Sequence, residues 1–381
     1  MSSGTSSTSA PTSTRGLWIG TYPDGGPAGS GEGVWRVDVD SRSGAFTAPR
    51  LAAATPAPSF VALHPTGRVL YAVAEVTDGE LSAFTVGPGG TLAPLGEPVT
   101  TGGSSPCHVV STETEVWVTN YGNGVFTAVP LDTDGAFDGA AQHRTHEGSG
   151  PDHERQDGPH AHSSARVDGE AWVADLGTDE LRRYPYPTRP DAPAGLAARL
   201  PDGAGPRHFV TLDGDVPGDG PGSAVLLVSE LDARVYVLVP AAHVQPGADP
   251  GGAPYAVAAH HPACSTVAPD GGRGYPSHIA LSADGTRLFV AVRGPDVLST
   301  FAVRPGPVPE LTHLGDTPVG GRWPRHFAVV SSGATDARAD LVVVANQESS
   351  TLTALRVPRE GGVGEVVGSC PVPVPACVVE D

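Results

Sequence analysis

PSFVALHPTGRVLYAVAE, residues 58–75, and PSHIALSADGTRLFVAVR, residues 276–293, follow one plan. Each has Pro-Ser, a short apolar strand, a turn ending in glycine, and a second apolar strand. Weaker copies begin at Pro106 (PCHVV…EVWVTN), His160 (HAHSSARVDGEAWVAD), Pro206 (PRHFVTL…AVLLVSE) and Pro324 (PRHFAVV…DLVVVAN). A third strand follows most of them: LSAFTV, VFTAVPL, LRRYPY, RVYVLV, VLSTFAV, TLTALRV. The six copies start at intervals of 48, 54, 46, 70 and 48 residues. LWIGTY from Leu17 is a second strand with no first, and PACVV from Pro375 a first strand with no second. Joined, they form a seventh unit. Several short strands repeating every 40 to 50 residues signal a β-propeller. The reading is therefore an all-β fold, a seven-bladed β-propeller whose ring is closed by a C-terminal strand completing the first blade. Such closure leaves no open sheet edge. The 70-residue interval holds an insertion over about 240–275, read as a loop across one face.

Composition fits one large all-β domain of 381 residues. The 50 glycines and 39 prolines are spread between apolar runs, as turn punctuation. Residues 1–15 are polar and read as a disordered tail, with the propeller over 16–381. No apolar run long enough to span a membrane follows. Formal net charge is −19, every basic residue is arginine, and lysine is absent. This charge argues against nucleic acid and anionic membranes as partners. The missing lysine excludes Schiff-base chemistry on a side chain. Cys107, Cys264, Cys370 and Cys377 form no CxxC pair and read as free thiols of a cytoplasmic protein.

Candidate site residues come from the repeat. Aligned on the turn glycine, His162 stands seven residues before Gly169, as His278 does before Gly285 and His326 before Gly333. One slot then reads Phe60, His108, His162, His208, His278, His326 and Cys377. The slot before it reads Ser59, Cys107, Ala161, Arg207, Ser277, Arg325 and Ala376. The slot before that is proline in every copy but one, where it is His160. A third set closes the second strands: Thr21, Glu75, Asn120, Asp175, Glu230, Arg293 and Asn346. In an antiparallel pair these ends lie beside the starts of the first strands, so the sets converge at one mouth of the channel.

A histidine in five of seven copies is most simply a repeat feature, bonded to backbone or a neighbouring blade. Arg207, Arg293 and Arg325 replace small, uncharged or acidic residues, and arginine beside a channel needs counter-charge or ligand. Glu230 fits their ion-pair partner. His160 and His162 with His153 or Asp175 offer a zinc reading, but HxH alone is weak and no HExxH or EF-type pattern supports it. The expectation is no metal and no cofactor. His143, His146 and His153 lie among polar residues and read as solvated.

GSGPDHERQDGPHAHSS, WVADLGTDEL, GAGPRHFV, LLVSELDARVYV, YPSHIALSADGTRLFVAVRG, GRWPRHFAVV and VANQESSTL resemble the lactonase family of seven-bladed β-propellers. That group includes the propeller-type 6-phosphogluconolactonases and is related to fungal carboxy-muconate cycloisomerases. The resemblance runs from about Leu17 to Val379. It implies catalytic roles for His162, Arg207, Glu230 and Arg293, with His160, His278, Arg325, Asn346 and Gln347 lining the same pocket. Departures are the trimmed turns in SSARVDGEA and PCHVVSTETEV, on the far side.

The implied function is hydrolysis of an anionic sugar-acid lactone. His162 or Glu230 activates water, the other orienting it, while Arg207 and Arg293 hold the oxyanion and the anionic group. Arg325 takes a phosphate or carboxylate. Two alternatives stand beside it: a muconate-type lactonising cycloisomerase, and a non-catalytic propeller binding a peptide or protein. The second needs an exposed apolar or aromatic patch, for which the sequence supplies little aromatic material.

Overall fold

The computed structural model describes residues 13–24, 32–189, 193–212, 223–244, 252–331 and 338–381. They form seven antiparallel sheets, six of four strands and one of five. The first blade is assembled from both ends of the chain: Pro375–Glu380 innermost, then Thr14–Thr21, Gly33–Asp40 and Arg50–Ala54. Its closing register pairs Trp18 with Val379, Ile19 with Val378 and Gly20 with Cys377. The next six blades begin with Val61–Leu63, Pro106–Ser111, Ala161–Val167, Pro206–Leu212, Tyr275–Leu281 and Pro324–Val330. The split unit thus closes the ring as read from its two halves.

The second strands are the most completely buried, as in Val69–Ala74, Ala224–Ser229 and Arg287–Arg293. Flanked by a strand on each side and a blade above and below, they run as continuous apolar stretches without alternation. The core is therefore a ring of interblade layers. Leu226, Val228 and Val237 of blade five pack on Leu288 and Val290 of blade six. Leu17 and Ile19 of blade one pack on Leu341 and Val343 of blade seven. Each such fully buried aliphatic contributes about 1.5–3 kcal/mol relative to exposure.

Every blade also has an outer strand that the repeat reading left out. These strands are short and half exposed, such as Thr91–Pro94 and Gln142–Arg144, so their apolar pattern is faint. The insertion is not simply a loop over a face. Tyr255–Pro262 within it is the outer strand of blade five; residues 245–251 lie outside the described ones. Strand structure begins at Thr14, which pairs with Asp40, inside the stretch expected as tail. Residues 1–12 of that tail lie outside the described residues.

Candidate active site

Most inner strands start with the same backbone device. The residue before the proline is left-handed in five copies: Ala57 (φ 40°), Ser105 (51°), Gly205 (65°), Trp323 (63°) and Val374 (37°). Only glycine adopts this freely, so four copies hold a strained residue there. The ladder then skips one residue. Pro206 pairs with Ser229 and His208 with Val228, leaving Arg207 as the bulge. Bulges re-aim side chains, and in four blades the residue at this position, Cys107, His162, Arg207 or Arg325, faces the axial cavity.

This pairing corrects the alignment in two places. In blade four Ala161 pairs with Asp175 and Ser163 with Ala174, so His162 is the bulged residue. It is the counterpart of Cys107, Arg207 and Arg325, not of the repeated histidines, whose place Ser163 takes. The exception to the proline rule is Ala161 rather than His160. The cause is the hairpin: Val167 pairs with Glu170 across a two-residue turn, Asp168–Gly169, both with positive φ. Counting back from its glycine therefore lands one residue off. The set closing the second strands is mixed as well. Thr21, Asn120, Asp175 and Asn346 face the proline position or its Ala161 substitute, whereas Glu75, Glu230 and Arg293 stand one residue later. The structurally equivalent set is Tyr22, Glu75, Tyr121, Leu176, Glu230, Arg293 and Gln347, of which Glu75, Tyr121, Glu230 and Arg293 face the axis. Six of the seven donate their N–H to the residue before the proline position, as Glu230 does to Gly205 at 2.8 Å and Tyr121 to Ser105 at 2.9 Å. Arg293 pairs directly with Tyr275. A shift of one residue flips a strand side chain to the other face.

The two corrected sets enclose an axial cavity of about 190 Å³, lined by Glu75, Cys107, Tyr121, His162, Arg207, Glu230, Arg293 and Arg325, with Arg155 from the loop before blade four. Glu230 is its hub. Oε2 accepts from Arg207 Nε at 2.9 Å and lies 2.8 Å from Arg293 Nη2. Oε1 accepts from Arg155 Nη2 at 2.8 Å. Arg155 also donates to the Tyr121 hydroxyl at 3.1 Å. Arg293 lies over the Trp323 ring at 5.3 Å and donates to the Tyr275 carbonyl. Opposite, Arg325 donates to the Tyr22 hydroxyl and Tyr22 to Glu75 Oε2, both at 2.6 Å. His162 Nδ1 is 3.8 Å from the Cys107 thiol, which donates to the His162 carbonyl at 3.3 Å. Arg207 Nη1 is buried without a protein hydrogen-bond partner.

Four residues expected in the pocket lie elsewhere. His278 belongs to a plug across the axis with Phe60, His108, His208 and His326; it stacks on His326 at 3.7 Å and bonds to His208 at 2.9 Å. His160 stacks on Tyr121 at 4.5 Å and bonds to the Tyr121 carbonyl at 2.6 Å, supporting the wall from behind. Asn346 is fully buried and turned outward, donating to Thr353. Gln347 touches Arg325 at 3.4 Å but does not line the cavity. His160 and His162 thus diverge, and among the described residues no three of His, Cys, Asp or Glu converge on a metal position. His143 and His153 are exposed as expected. His146 is not: it is buried, bonded to Asp175 at 2.5 Å and Tyr184 at 2.7 Å. Asp175 in turn accepts from the His160 N–H, so this chain pins both ends of the loop bearing Arg155. Arg155 and Tyr121 were missed. Tyr121 becomes visible once the strand register is known; Arg155 is the lone cation of PDHERQD.

The electrostatics follow from burial and pairing. Burial raises a carboxyl, but Arg293 and Arg207 outweigh it and hold Glu230 well below the ordinary range. Glu75 goes the other way: burial raises it, and Arg325 offsets this only in part. Burial, with Arg207 adding to it, keeps His162 neutral. Burial lowers Arg207 to about 9, still cationic at neutral pH, and pushes the Cys107 thiol up to about 12. The cavity thus sets four guanidiniums against one firmly ionised carboxylate, inside a protein of net charge −19.

A seven-bladed propeller with this cationic, imidazole-bearing well on its axis can hold a small anion and activate water beside it. The chain belongs to the family described as lactonase, 7-bladed β-propeller, whose model matches residues 16–380. A curated relative, the 6-phosphogluconolactonase of Bacillus subtilis, is 28% identical over 369 residues, covering 95% of this chain and 97% of the relative. Among solved structures, the periplasmic gluconolactonase of Pseudomonas aeruginosa is 28% identical with TM-score 0.77, over 97% of this chain and 99% of that one. A putative 6-phosphogluconolactonase from Bacteroides uniformis is 25% identical with TM-score 0.79, over 97% of this chain and all of that one.

Proposed function

We propose that the protein hydrolyses an anionic sugar-acid lactone, 6-phosphogluconolactone being the first candidate. The carrying observation is the pairing of a neutral imidazole with unmatched guanidiniums in one buried well of a lactonase-family propeller. Between the two candidate bases, the geometry favours His162. Both oxygens of Glu230 are committed to arginines and its proton affinity is depressed. His162 is neutral and faces the cavity.

In this reading His162 takes a proton from water as the water oxygen bonds to the lactone carbonyl carbon. Negative charge develops on the carbonyl oxygen, and Arg207, whose Nη1 is uncommitted, stabilises it with Arg293. Glu230 fixes both guanidiniums and favours the imidazolium that forms. Arg325, across the well, takes the substrate's phosphate or carboxylate. The scheme requires no metal. It is read as cytoplasmic, on the strength of four unpaired cysteines; cell fractionation tests this against the periplasm.

The test is hydrolysis of 6-phosphogluconolactone and of gluconolactone above their spontaneous rates, with and without chelator. The expected result is acceleration that survives chelator, greater for the phosphorylated lactone. Loss of activity in chelator overturns the metal-free scheme. No acceleration of either, with turnover of a carboxy-muconate, overturns hydrolysis in favour of cyclisation.

A further inference from the structure

The cavity holds a second carboxyl that the scheme above does not use. Glu75 stands at the same inward-facing position in blade two as Glu230 does in blade five, three blades round the ring. Their direct hydrogen-bond partners differ. Glu230 binds three guanidiniums directly. Glu75 accepts from the Tyr22 hydroxyl, and Arg325 reaches that hydroxyl rather than the carboxyl.

We propose that Glu75 is the proton donor to the departing ring oxygen, positioned by the Tyr22–Arg325 pair. The inference rests on the lactone-hydrolase reading. Ring opening needs such a group, because a sugar alkoxide is a poor leaving group. As the tetrahedral intermediate collapses, the carbonyl is restored and the bond between carbon and ring oxygen breaks. The ring oxygen takes the proton of Glu75 and leaves as a hydroxyl. The new carboxylic acid then returns a proton to Glu75, and His162 gives to solvent the proton it took from water. One water is consumed and one proton released per turnover.

The charged and titratable groups facing Glu75 are Tyr22, Arg325, Arg207 and the Cys107 thiol. Burial raises Glu75, and Arg325, the Tyr22 bond and Arg207 offset this only in part. Two carboxyls driven in opposite directions in one well are a pattern that separates an acid from an ionised partner.

The test uses the full chain and two lactones: glucono-δ-lactone, which leaves as an alkoxide, and dihydrocoumarin, which leaves as a phenoxide. Glu75→Gln should lower kcat about 100-fold on gluconolactone. The loss should stay under about 10-fold on dihydrocoumarin, whose leaving group departs without a proton. The alkaline limb of the kcat–pH profile should also vanish. Tyr22→Phe keeps the carboxyl but removes a bond that lowers its proton affinity, so the limb should move to higher pH. Equal losses on both lactones, or none, overturn the assignment while leaving hydrolysis standing. If Glu75→Gln does not fold, an unmoved limb in Tyr22→Phe overturns it. Wild-type inactivity on both lactones and on 6-phosphogluconolactone overturns the hydrolase reading and this inference together. If only the phosphorylated lactone turns over, the loss of about 100-fold and the vanishing alkaline limb are read on that substrate, and their absence overturns this inference alone.

Discussion

Replacing Glu230 with glutamine tests the hub of the cavity. Oε2 faces Arg207 and Arg293, and Oε1 faces Arg155, all donors within 3 Å. An amide has one oxygen, so in either orientation its NH2 meets a guanidinium. The cheaper orientation keeps the oxygen on Arg207 and Arg293 and turns the NH2 toward Arg155. Arg155 is about a third exposed and can swing into solvent, so that pair adds little. What remains is loss of the negative charge between two buried guanidiniums. Breaking a buried pair costs roughly 3–5 kcal/mol. The amide retains neutral acceptance, which puts glutamine near about 3 and alanine near about 5. At about 2.1 cal/mol/K per residue, a chain of 381 residues loses roughly 4 °C of Tm for 3 kcal/mol. The pH dependence has a definite sign. Glu230 is depressed in the folded state, so its contribution is fully present above the unfolded carboxyl value of about 4.3 and is lost as pH falls below it. The melting difference between wild type and Glu230→Gln should therefore narrow in acid. The assay is calorimetry at pH 7 and pH 3.5, with kcat/KM at pH 7. Added phosphate should stabilise the variant more than wild type, because two guanidiniums have lost their counter-ion. A Tm within 1 °C of wild type at pH 7, with kcat/KM unchanged, would refute this account of the site.

The axial imidazoles make the fold acid-sensitive. His108 is lowered to about 3 and His162, His208, His278 and His326 lie well below the ordinary value, burial being the main cause. Stability should be flat above about pH 6.5 and fall below it, by up to about 1.4 kcal/mol per pH unit for each histidine; a flat urea midpoint from pH 7.5 to 5 contradicts this. His146→Ala leaves the buried Asp175 short of a partner, costing about 1–3 kcal/mol. It should also loosen the Arg155 loop, seen as faster amide exchange over residues 145–160 and lower kcat/KM. Deleting residues 375–381 exposes the edge of Thr14–Thr21 and removes the Arg36–Asp381 pair. Size-exclusion chromatography should show an aggregated or open chain; a monomer melting like wild type would refute closure by that strand.

The fold was legible because the repeat writes it several times. PSHIALSADGTRLFVAVR alone says strand, turn, strand; six such copies and a split seventh say ring. Arg207, Glu230, Arg293 and Arg325 were legible for a related reason: they break a pattern that their counterparts keep. The error over His162 has the same root. A turn trimmed to Asp168–Gly169 shifts the count by one, and the strand letters show no sign of it. Arg155 and Tyr121 broke no pattern. Arg155 lies in a loop outside the repeat, and Tyr121 follows an Asn120 whose side chain points away.

From sequence alone came the number of blades, the closing strand, the family and the end of the ring that holds the polar residues. These depend on apolar runs and turn residues, which local chemistry fixes. The tertiary structure decided which residues at that end face the axis. On a strand that choice reverses with every residue, and here a bulge in six of the blades resets it. It put His162 at the bulge position that Arg207 holds rather than in the slot of the plug histidines, moved His278 and Asn346 out of the pocket, and brought in Tyr121 and Arg155. A position in the chain specifies a side chain's chemistry, and only its paired strand specifies where that chemistry points.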